Sequence, residues 1–377
     1  MRVGIDGIVL QGNDAGSLRY FEQLLASLAT DKSSNEYVVF AHERVLNSSA
    51  IPRQENFIPY QVNGAPLVPG TIRQQLFRDW DSCGKLDLLH AAAFIPPLWF
   101  NGKTIATIFD LTFIRYPQTQ KWTGRFWWQL LGKPGVQKAD HLTTISKSTK
   151  NDLRRFLGVP EDKISVVYPY VSDFFKPVSN PKDVLSKYSL PDNYILFVGT
   201  LERRKNIVSL LRAFALCKRK ASLKHRLVLV GKRGWLYKDI FQAVEELDLK
   251  QEVLFLGYVP NKDLPGLYSA ADLSILVSLY EGFGLPVLES MACGTPVITS
   301  NVSSLPEVAG DSTILVPPTD IEQIASAIQD LLSDSEKREQ LVERGFRQVS
   351  KYSYERFAKE MLSAYEKTVN MRGPVEK

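Results

Sequence analysis

The chain has 377 residues, 44% hydrophobic and 23% charged, which is ordinary globular composition, long for one core and suited to two domains of roughly 100 to 200 residues each. Its net charge of +5 is mild, with 21 Lys and Arg against 17 Asp and Glu in residues 1–183 and no dense basic run, so nucleic acid is not an expected partner. Cys83, Cys217 and Cys293 are odd in number and far apart, which excludes a disulfide framework and favours a reducing compartment.

Asp6 breaks the apolar run of the N-terminus too early for a signal peptide, and no stretch approaches the roughly 20 apolar residues of a membrane span. The expected location is therefore the cytoplasm. Arg2 to Leu10 reads as a buried strand, followed by a loop holding Gly12 and Gly16 and by a helix with Tyr20, Leu24, Leu25 and Leu28 on one face. The two glycines suit either a plain turn or a backbone approach to phosphate, and they do not form a GxGxxG fingerprint. Further strands at Glu36 to Ala41, Leu86 to His90, Lys103 to Ile108 and His141 to Ile145 alternate with helical stretches, the pattern of a doubly wound parallel sheet. Ligands of such sheets lie beyond the carboxyl ends of the strands, which makes His90, Phe109, Asp110 and Arg115 candidates for the acceptor side of a site.

Asp79-Trp80-Asp81 has the form of a metal-binding DxD, but it falls near a helix end with no second acidic cluster, so no metal is expected. Lys121 to Pro134, KWTGRFWWQLLGKP, interleaves aromatic and basic residues. A helix packed on the sheet and a helix lying on a membrane surface both fit that pattern.

The proline-rich polar segment YVSDFFKPVSNPKD separates two alternating series and sets the expected domain boundary between residues 174 and 175. The second series opens with YILFVGTLERRKNIVSLLRAFALC: a strand, a glycine turn, a basic cluster and a helix. Asn206 is the expected N-cap of that helix, so Arg204 and Lys205 stand at its start as a phosphate clamp, or else as a solvated basic cluster. A turn at Tyr258 to Pro260 offers backbone hydrogen bonds to a nucleobase.

In SLYEGFGLPVLESMACGTPVITS, from Ser278 to Ser300, a strand runs into a helix through Gly282 and Gly284, and Pro286 suits the first helical turn. Such a junction presents unpaired backbone N–H groups and the positive end of a helix dipole to an anion. Glu281 in the loop and Glu289 one turn or so into the helix can face one crevice, where paired carboxylates suit sugar hydroxyls. A buried turn with capping glutamates has the same spacing.

FVGTLERRKN, LVGKRGW, FLGYVP, LPGLYSAADL, SLYEGFGLPVLESMACGTPVITSN and SLPEVAGD, in that order, resemble the second domain of glycosyltransferase family four, the retaining nucleotide-sugar transferases of GT-B fold. AGSLRY, DLLH, TIFDLTFIRYP and TTISKST resemble its first domain more loosely. The resemblance implies an α/β protein of two Rossmann-like doubly wound domains facing each other across a cleft, with domain 1–174 completed by a C-terminal helix in 353–377 and domain 175–352 holding the donor.

It further implies a hexosyltransferase that needs no metal and no cofactor, with a nucleoside diphosphate sugar as donor. The acceptor would be a glycan or lipid-linked sugar, with peripheral membrane contact at the inner face. Arg204 and Lys205 match the basic pair on the diphosphate, and Gly282, Phe283, Gly284 and Leu285 the phosphate loop. Gly16 matches the loop that closes from the first domain, Tyr258 and Val259 the base-reading turn, Glu281 the glutamate near the transferred sugar and Glu289 the ribose ligand. GKRGW and FLGYVP tilt the donor towards GDP-mannose. UDP- or dTDP-sugars, and a degenerate nucleotide-binding partner subunit, are the alternatives. Three positions depart from the family pattern: Phe109 stands where many members have His, Thr200 where an Arg often follows the glycine, and Leu18 where a Gly often follows Gly16 by two residues.

Overall fold

The structure, a computed structural model, describes residues 1–10, 15–47, 51–63, 70–92, 95–119, 126–221, 223–234 and 236–371. Gly12 and residues 121–125 of the 121–134 motif therefore lie outside the described residues. The chain divides into two units, Met1–Ile114 with Trp122–Tyr170 and Ser353–Lys377, and Arg115–Lys121 with Val171–Tyr352. In this division the chain passes into the second unit after Tyr170, and a short segment after Ile114 belongs with the second unit.

The first unit is built on seven parallel strands: β1 (Arg2–Asp6), β2 (Glu36–Ala41), β3 (Phe57–Gln61), β4 (Leu88–Ala91), β5 (Thr104–Ile108), β6 (His141–Thr144) and β7 (Ile164–Val166). They run in the order β3-β2-β1-β4-β5-β6-β7. The second unit has six parallel strands: β8 (Tyr194–Val198), β9 (Arg226–Val230), β10 (Val253–Gly257), β11 (Leu273–Leu276), β12 (Val297–Ser300) and β13 (Ile314–Val316), ordered β10-β9-β8-β11-β12-β13. The continuous apolar runs YILFV and LSIL follow from this placement, because helices cover both faces of a parallel sheet and leave its central strands no wet side.

The sequence reading missed β3. Its FIPYQ contains Pro59, which cannot donate to a ladder, and the strand is tolerated because it forms the edge of the sheet and pairs only with β2. The Asp79-Trp80-Asp81 triplet is structural: Trp80 is buried, and Asp81 accepts the Leu86 N–H.

The C-terminal helix Tyr354–Asn370 belongs to the first unit and buries Phe357, Met361, Ala364 and Tyr365. Its anchor is polar. The Tyr365 hydroxyl lies 2.7 Å from His90 Nδ1, His90 Nε2 lies 2.8 Å from Thr107 Oγ1, and Thr107 is bonded in turn to Thr143 and Tyr20. His90, expected on the acceptor side, is instead fully buried with both ring nitrogens engaged, because it faces this network rather than the strand ends.

Burial pulls the His90 pKa down to about 3, so the unfolded chain takes up this proton first as the pH falls. The stabilisation is complete above the ordinary value of 6.5 and is lost as the pH falls from there towards 3. Between pH 7 and pH 5 the protein should therefore lose about 2 kcal/mol that His90→Gln, which cannot titrate, does not lose; urea unfolding of both proteins at the two pH values measures the difference.

Candidate functional site

In the second unit the chain leaves β8 and β11, which are neighbours, towards opposite sides of the sheet. A crevice therefore opens beyond their carboxyl ends, at the switch point where ligands of such sheets bind. The segment after β8 carries Arg203–Lys205 as a 3-10 turn, and the segment after β11 carries Ser278–Gly284. Backbone and side-chain bonds stitch the two together: the Leu279 N–H donates to the Arg204 carbonyl at 2.9 Å and the Asn206 amide donates to Val277 O at 3.0 Å.

Asn206 holds the expected N-cap position of the helix Ile207–Ala221, its carbonyl accepting the Leu210 N–H, but its side chain does not cap that helix. It adopts a left-handed conformation, φ 57°, at the end of the 3-10 turn, and its side chain donates to Val277 and Pro318.

Arg204, Lys205 and Glu281, some 76 residues apart in the chain, form one ionic cluster. Lys205 Nζ donates to Glu281 Oε1 at 2.6 Å, the Ser278 hydroxyl donates to the same oxygen at 2.6 Å, and Arg204 donates to Oε2 at 2.8 Å. Arg204 also donates to the Tyr280 carbonyl and to Glu202. Glu281 is 6% exposed and Lys205 8%. Burial alone would push the Glu281 carboxyl up, but Lys205 and Arg204 outweigh it and hold the pKa down at about 2. Both carboxylate oxygens are thus already occupied, so Glu281 is first of all the counter-charge that orients the two cations.

The chain then enters the helix Leu285–Ala292 through Gly284, at φ 122°, with Pro286 in the first turn and no side chain capping the start. A Cβ at Gly284 would come within 2.8 Å of Leu305 and would strain the left-handed backbone, so glycine is required. The loop is held from below by serines that the sequence reading did not single out. Ser304 Oγ donates to the Glu281 and Phe283 carbonyls, and Ser303 Oγ accepts the Glu281 N–H. Ser304 opens the SLPEVAGD motif and Ser303 directly precedes it, but nothing in the spacing says what they hold.

Among the other expected residues, Gly282 is buried in this loop, Leu285 is half-buried, and Phe283 turns its ring into the core against Tyr352 at 5.6 Å, leaving only its backbone for a ligand. Glu289 is buried and accepts from the Tyr268 hydroxyl at 3.1 Å. Val259 is buried, whereas Tyr258 is 59% exposed under the Lys232 ammonium, 4.8 Å from the ring centre. At the carboxyl ends of β8 and β9 the backbones converge so closely that a Cβ on Gly231, φ 148°, would collide with the Gly199 carbonyl.

Of the residues expected on the acceptor side, Phe109 and Asp110 belong to the first unit and Arg115 to the second. Asp110 accepts the Thr112 N–H and caps a short helix, while the Phe109 ring packs edge-on against Tyr20 at 5.0 Å. Arg115 is exposed and lies 5.5 Å over the Tyr280 ring, next to Glu281. Tyr116, missed by the sequence reading, donates its hydroxyl to the Leu279 carbonyl at 3.0 Å and so braces the Glu281 loop. In the first unit Gly16 stands exposed in the first turn of the helix Ala15–Leu28 with open space where a Cβ would go. A second missed residue, Asp6, ends β1 at that unit's own switch point, where burial raises its carboxyl to about 7 against bonds from Gln74 and Ile8.

Comparison with known proteins places this arrangement in context. Residues 16–173 match the family model described as Glycosyltransferase Family 4, and residues 186–348 match that described as Glycosyl transferases group 1. An O-antigen chain mannosyltransferase B of Escherichia coli is 38% identical over 233 residues, 61% of this chain and 61% of that protein. The matched region therefore spans less than two thirds of that relative's length. Among solved structures, a sucrose-phosphate synthase from Thermosynechococcus elongatus superposes with TM-score 0.78 at 24% identity, covering 97% of this chain and 98% of the other. Anabaena HepE, solved in complex with UDP-glucose, gives 0.75 at 17% identity, covering 96% and 99%.

Removing Lys205 leaves Glu281 with one cation fewer and Arg204 with a shifted charge balance, whereas removing both partners deletes the burial cost as well. Lys205→Met should therefore destabilise the protein by about 3 kcal/mol, and Lys205→Met with Glu281→Gln by clearly less than the sum of the single changes, as read from a double-mutant cycle in denaturant.

Proposed function

The chain belongs to the group 1, family 4 glycosyltransferases and has their GT-B fold, and from that premise we propose that it transfers a hexose, mannose in the favoured reading, from a nucleoside diphosphate sugar to a glycan or lipid-linked acceptor. The observation that carries the proposal is the buried Arg204–Lys205–Glu281 cluster beside the glycine-initiated helix at Gly284.

Departure of a nucleoside diphosphate concentrates negative charge on its phosphate oxygens. Two cations oriented in advance by Glu281, together with the unpaired N–H groups and dipole of the Leu285 helix, stabilise that charge without reorganising at the moment of reaction. These groups account for leaving-group stabilisation without a metal ion. In this reading Lys205, with three donors and one engaged by Glu281, turns a second to the phosphate, and the Arg204 guanidinium faces it as a second positive charge. Glu281 then shares its carboxylate between the cations and a hydroxyl of the transferred sugar, Glu289 binds the ribose hydroxyls and Gly16 closes on the diphosphate. Tyr258 and Val259 read the base.

Transfer proceeds with retention, the acceptor hydroxyl attacking from the face that the phosphate leaves and passing its proton to the departing phosphate oxygen. The preference for GDP-mannose is supported by the mannosyltransferase names of relatives, while the UDP-glucose bound to HepE keeps UDP-sugars as the alternative donor. A lipid-linked acceptor would place the enzyme on the cytoplasmic face of a membrane. Phe109 motivates the second reading, a nucleotide-binding partner subunit without activity, because phenylalanine offers no hydrogen bond to a sugar hydroxyl there.

Release of nucleoside diphosphate from GDP-mannose, UDP-sugars or dTDP-sugars in the presence of cell-derived acceptors decides between the two readings. Arg204→Ala and Lys205→Ala, verified as folded by circular dichroism, should each lower kcat by about a hundredfold or more with a smaller change in KM for the donor; unchanged kcat removes the leaving-group role. The product anomer, read by NMR, should keep the donor configuration, and turnover should be the same with and without a divalent-ion chelator. Inversion or loss of activity on chelation overturns the corresponding part of the mechanism.

A further inference from the structure

Outside the ionic cluster, the second unit holds a cavity of about 450 Å³ between the helices Ile207–Ala221 and Lys238–Glu246, within the range of roughly 300 to 1,000 Å³ in which small ligands are held. One part of its wall is apolar, formed by Ile207, Leu236, Ile240 and Ala243. Leu236 turns there with φ 59°, a left-handed backbone that a bulky side chain adopts only where its surroundings hold it. The polar part comes from three segments. Ser209 and Arg212 stand on the first helix, Gln242 and Glu246 on the second, and Gln118 follows Tyr116 by two residues.

The ionised groups of this wall cancel in pairs, save two. Arg203 donates to Asp239 at 2.6 and 2.9 Å, and Glu202 accepts from Arg204 at 2.7 Å. Arg212 and Glu246 are left. They line one cavity from neighbouring helices without forming an ion pair with each other: Arg212 has no hydrogen bond or ion pair among the described residues, and Glu246 accepts from the Gln242 amide at 2.6 Å. A phosphate entering here would meet a carboxylate, and a cation would meet a guanidinium, so neither charge is favoured. A neutral molecule with many hydroxyls is. Each hydroxyl both donates and accepts, so such a molecule can bridge Arg212 and Glu246 and bond Gln118, Ser209 and Gln242, while the C–H face of a sugar ring covers the apolar wall.

We propose that this pocket is a second binding site, for a neutral glycan, beside the Arg204–Lys205–Glu281 cluster and not part of it. It adjoins the turns that hold the cluster. Glu202 and Arg203 directly precede Arg204, and Leu279, which also lines the pocket, donates its N–H to the Arg204 carbonyl and accepts the Tyr116 hydroxyl at its own. A glycan held here therefore rests against the turn that carries the clamp. The inference stands on the pocket and its charges and does not need the transfer reading.

The test is saturation-transfer NMR and calorimetry on the full chain, without sugar nucleotide, using mannotriose, maltotriose, tri-N-acetylchitotriose, methyl α-mannoside and inorganic phosphate. At least one of the sugars should bind, and phosphate should not displace it. A trisaccharide held more tightly than the methyl glycoside marks a glycan chain as the source, equal binding marks a free sugar, and both agree with the proposal. Arg212→Ala and Glu246→Ala alter only exposed side chains outside the ionic cluster, and each should weaken sugar binding about tenfold, the value of one lost charge-assisted hydrogen bond. Neither should change the affinity for nucleoside diphosphate. No binding of any of the sugars, displacement by phosphate, or binding that survives both substitutions overturns the proposal. Nucleoside diphosphate binding to the unsubstituted chain, measured in the same way, tests the transfer reading separately.

Discussion

Glu281 carries a full negative charge where almost no water reaches it, and it can do so because two cations and a serine hydroxyl donate to its two carboxylate oxygens. The cost of desolvating the three charges is offset by hydrogen bonds of about 2.6 to 2.8 Å at both oxygens, and the offset holds only while the loops after β8 and β11 stay in register. Much of the second unit serves that register. The Leu279 and Asn206 bonds tie the loops together, Ser303 and Ser304 fix the Glu281 backbone from one side, and Tyr116 braces the Leu279 carbonyl from another. A site built this way is rigid before any ligand arrives, which is the condition under which fixed charges stabilise a developing charge most.

The first unit is held by a different device. Its C-terminal helix returns after the whole second unit has been laid down, and it is pinned by a row of uncharged polar groups, Tyr365, His90, Thr107, Thr143 and Tyr20. A buried neutral network has no net charge to desolvate, and it specifies one arrangement because every member must find its partner. His90 is therefore a fixture of the fold, and the polar groups that remain near the strand ends of this unit are Asp6, with its carboxyl raised by burial, and the cap at Asp110. The exposed aromatic and basic side chains Trp99, Phe126, Trp127, Lys133 and Lys138 belong to the same unit.

Much of this was legible beforehand for identifiable reasons. Long apolar runs such as YILFV announce strands whichever way they are ordered, and Gly284 before Pro286 announces a helix start because few other residues accept that backbone. Pro59 hid an edge strand because propensity speaks for the interior of sheets. Asn206 stands where the helix begins, but its side chain leaves the cap for carbonyls at Val277 and Pro318 that are far away in sequence. Tyr116, Ser303 and Asp6 carry no local signature, since their roles depend on which loop lies opposite.

The sequence by itself determined the alternation of strands and helices, the family, and the residue types of the candidate site, because periodicity, glycine and proline geometry, and the spacing of Glu281 and Glu289 are local properties that a chain carries wherever it folds. Only the tertiary structure decided that Arg204, Lys205 and Glu281 are one cluster rather than a clamp and a separate carboxylate. It also decided that His90 lies in a buried network, and that Gln118 and Arg212 line one pocket. Each of these is a juxtaposition across many tens of residues, set by the order in which strands lie side by side, and strand order follows from the packing of the whole sheet rather than from any stretch of it.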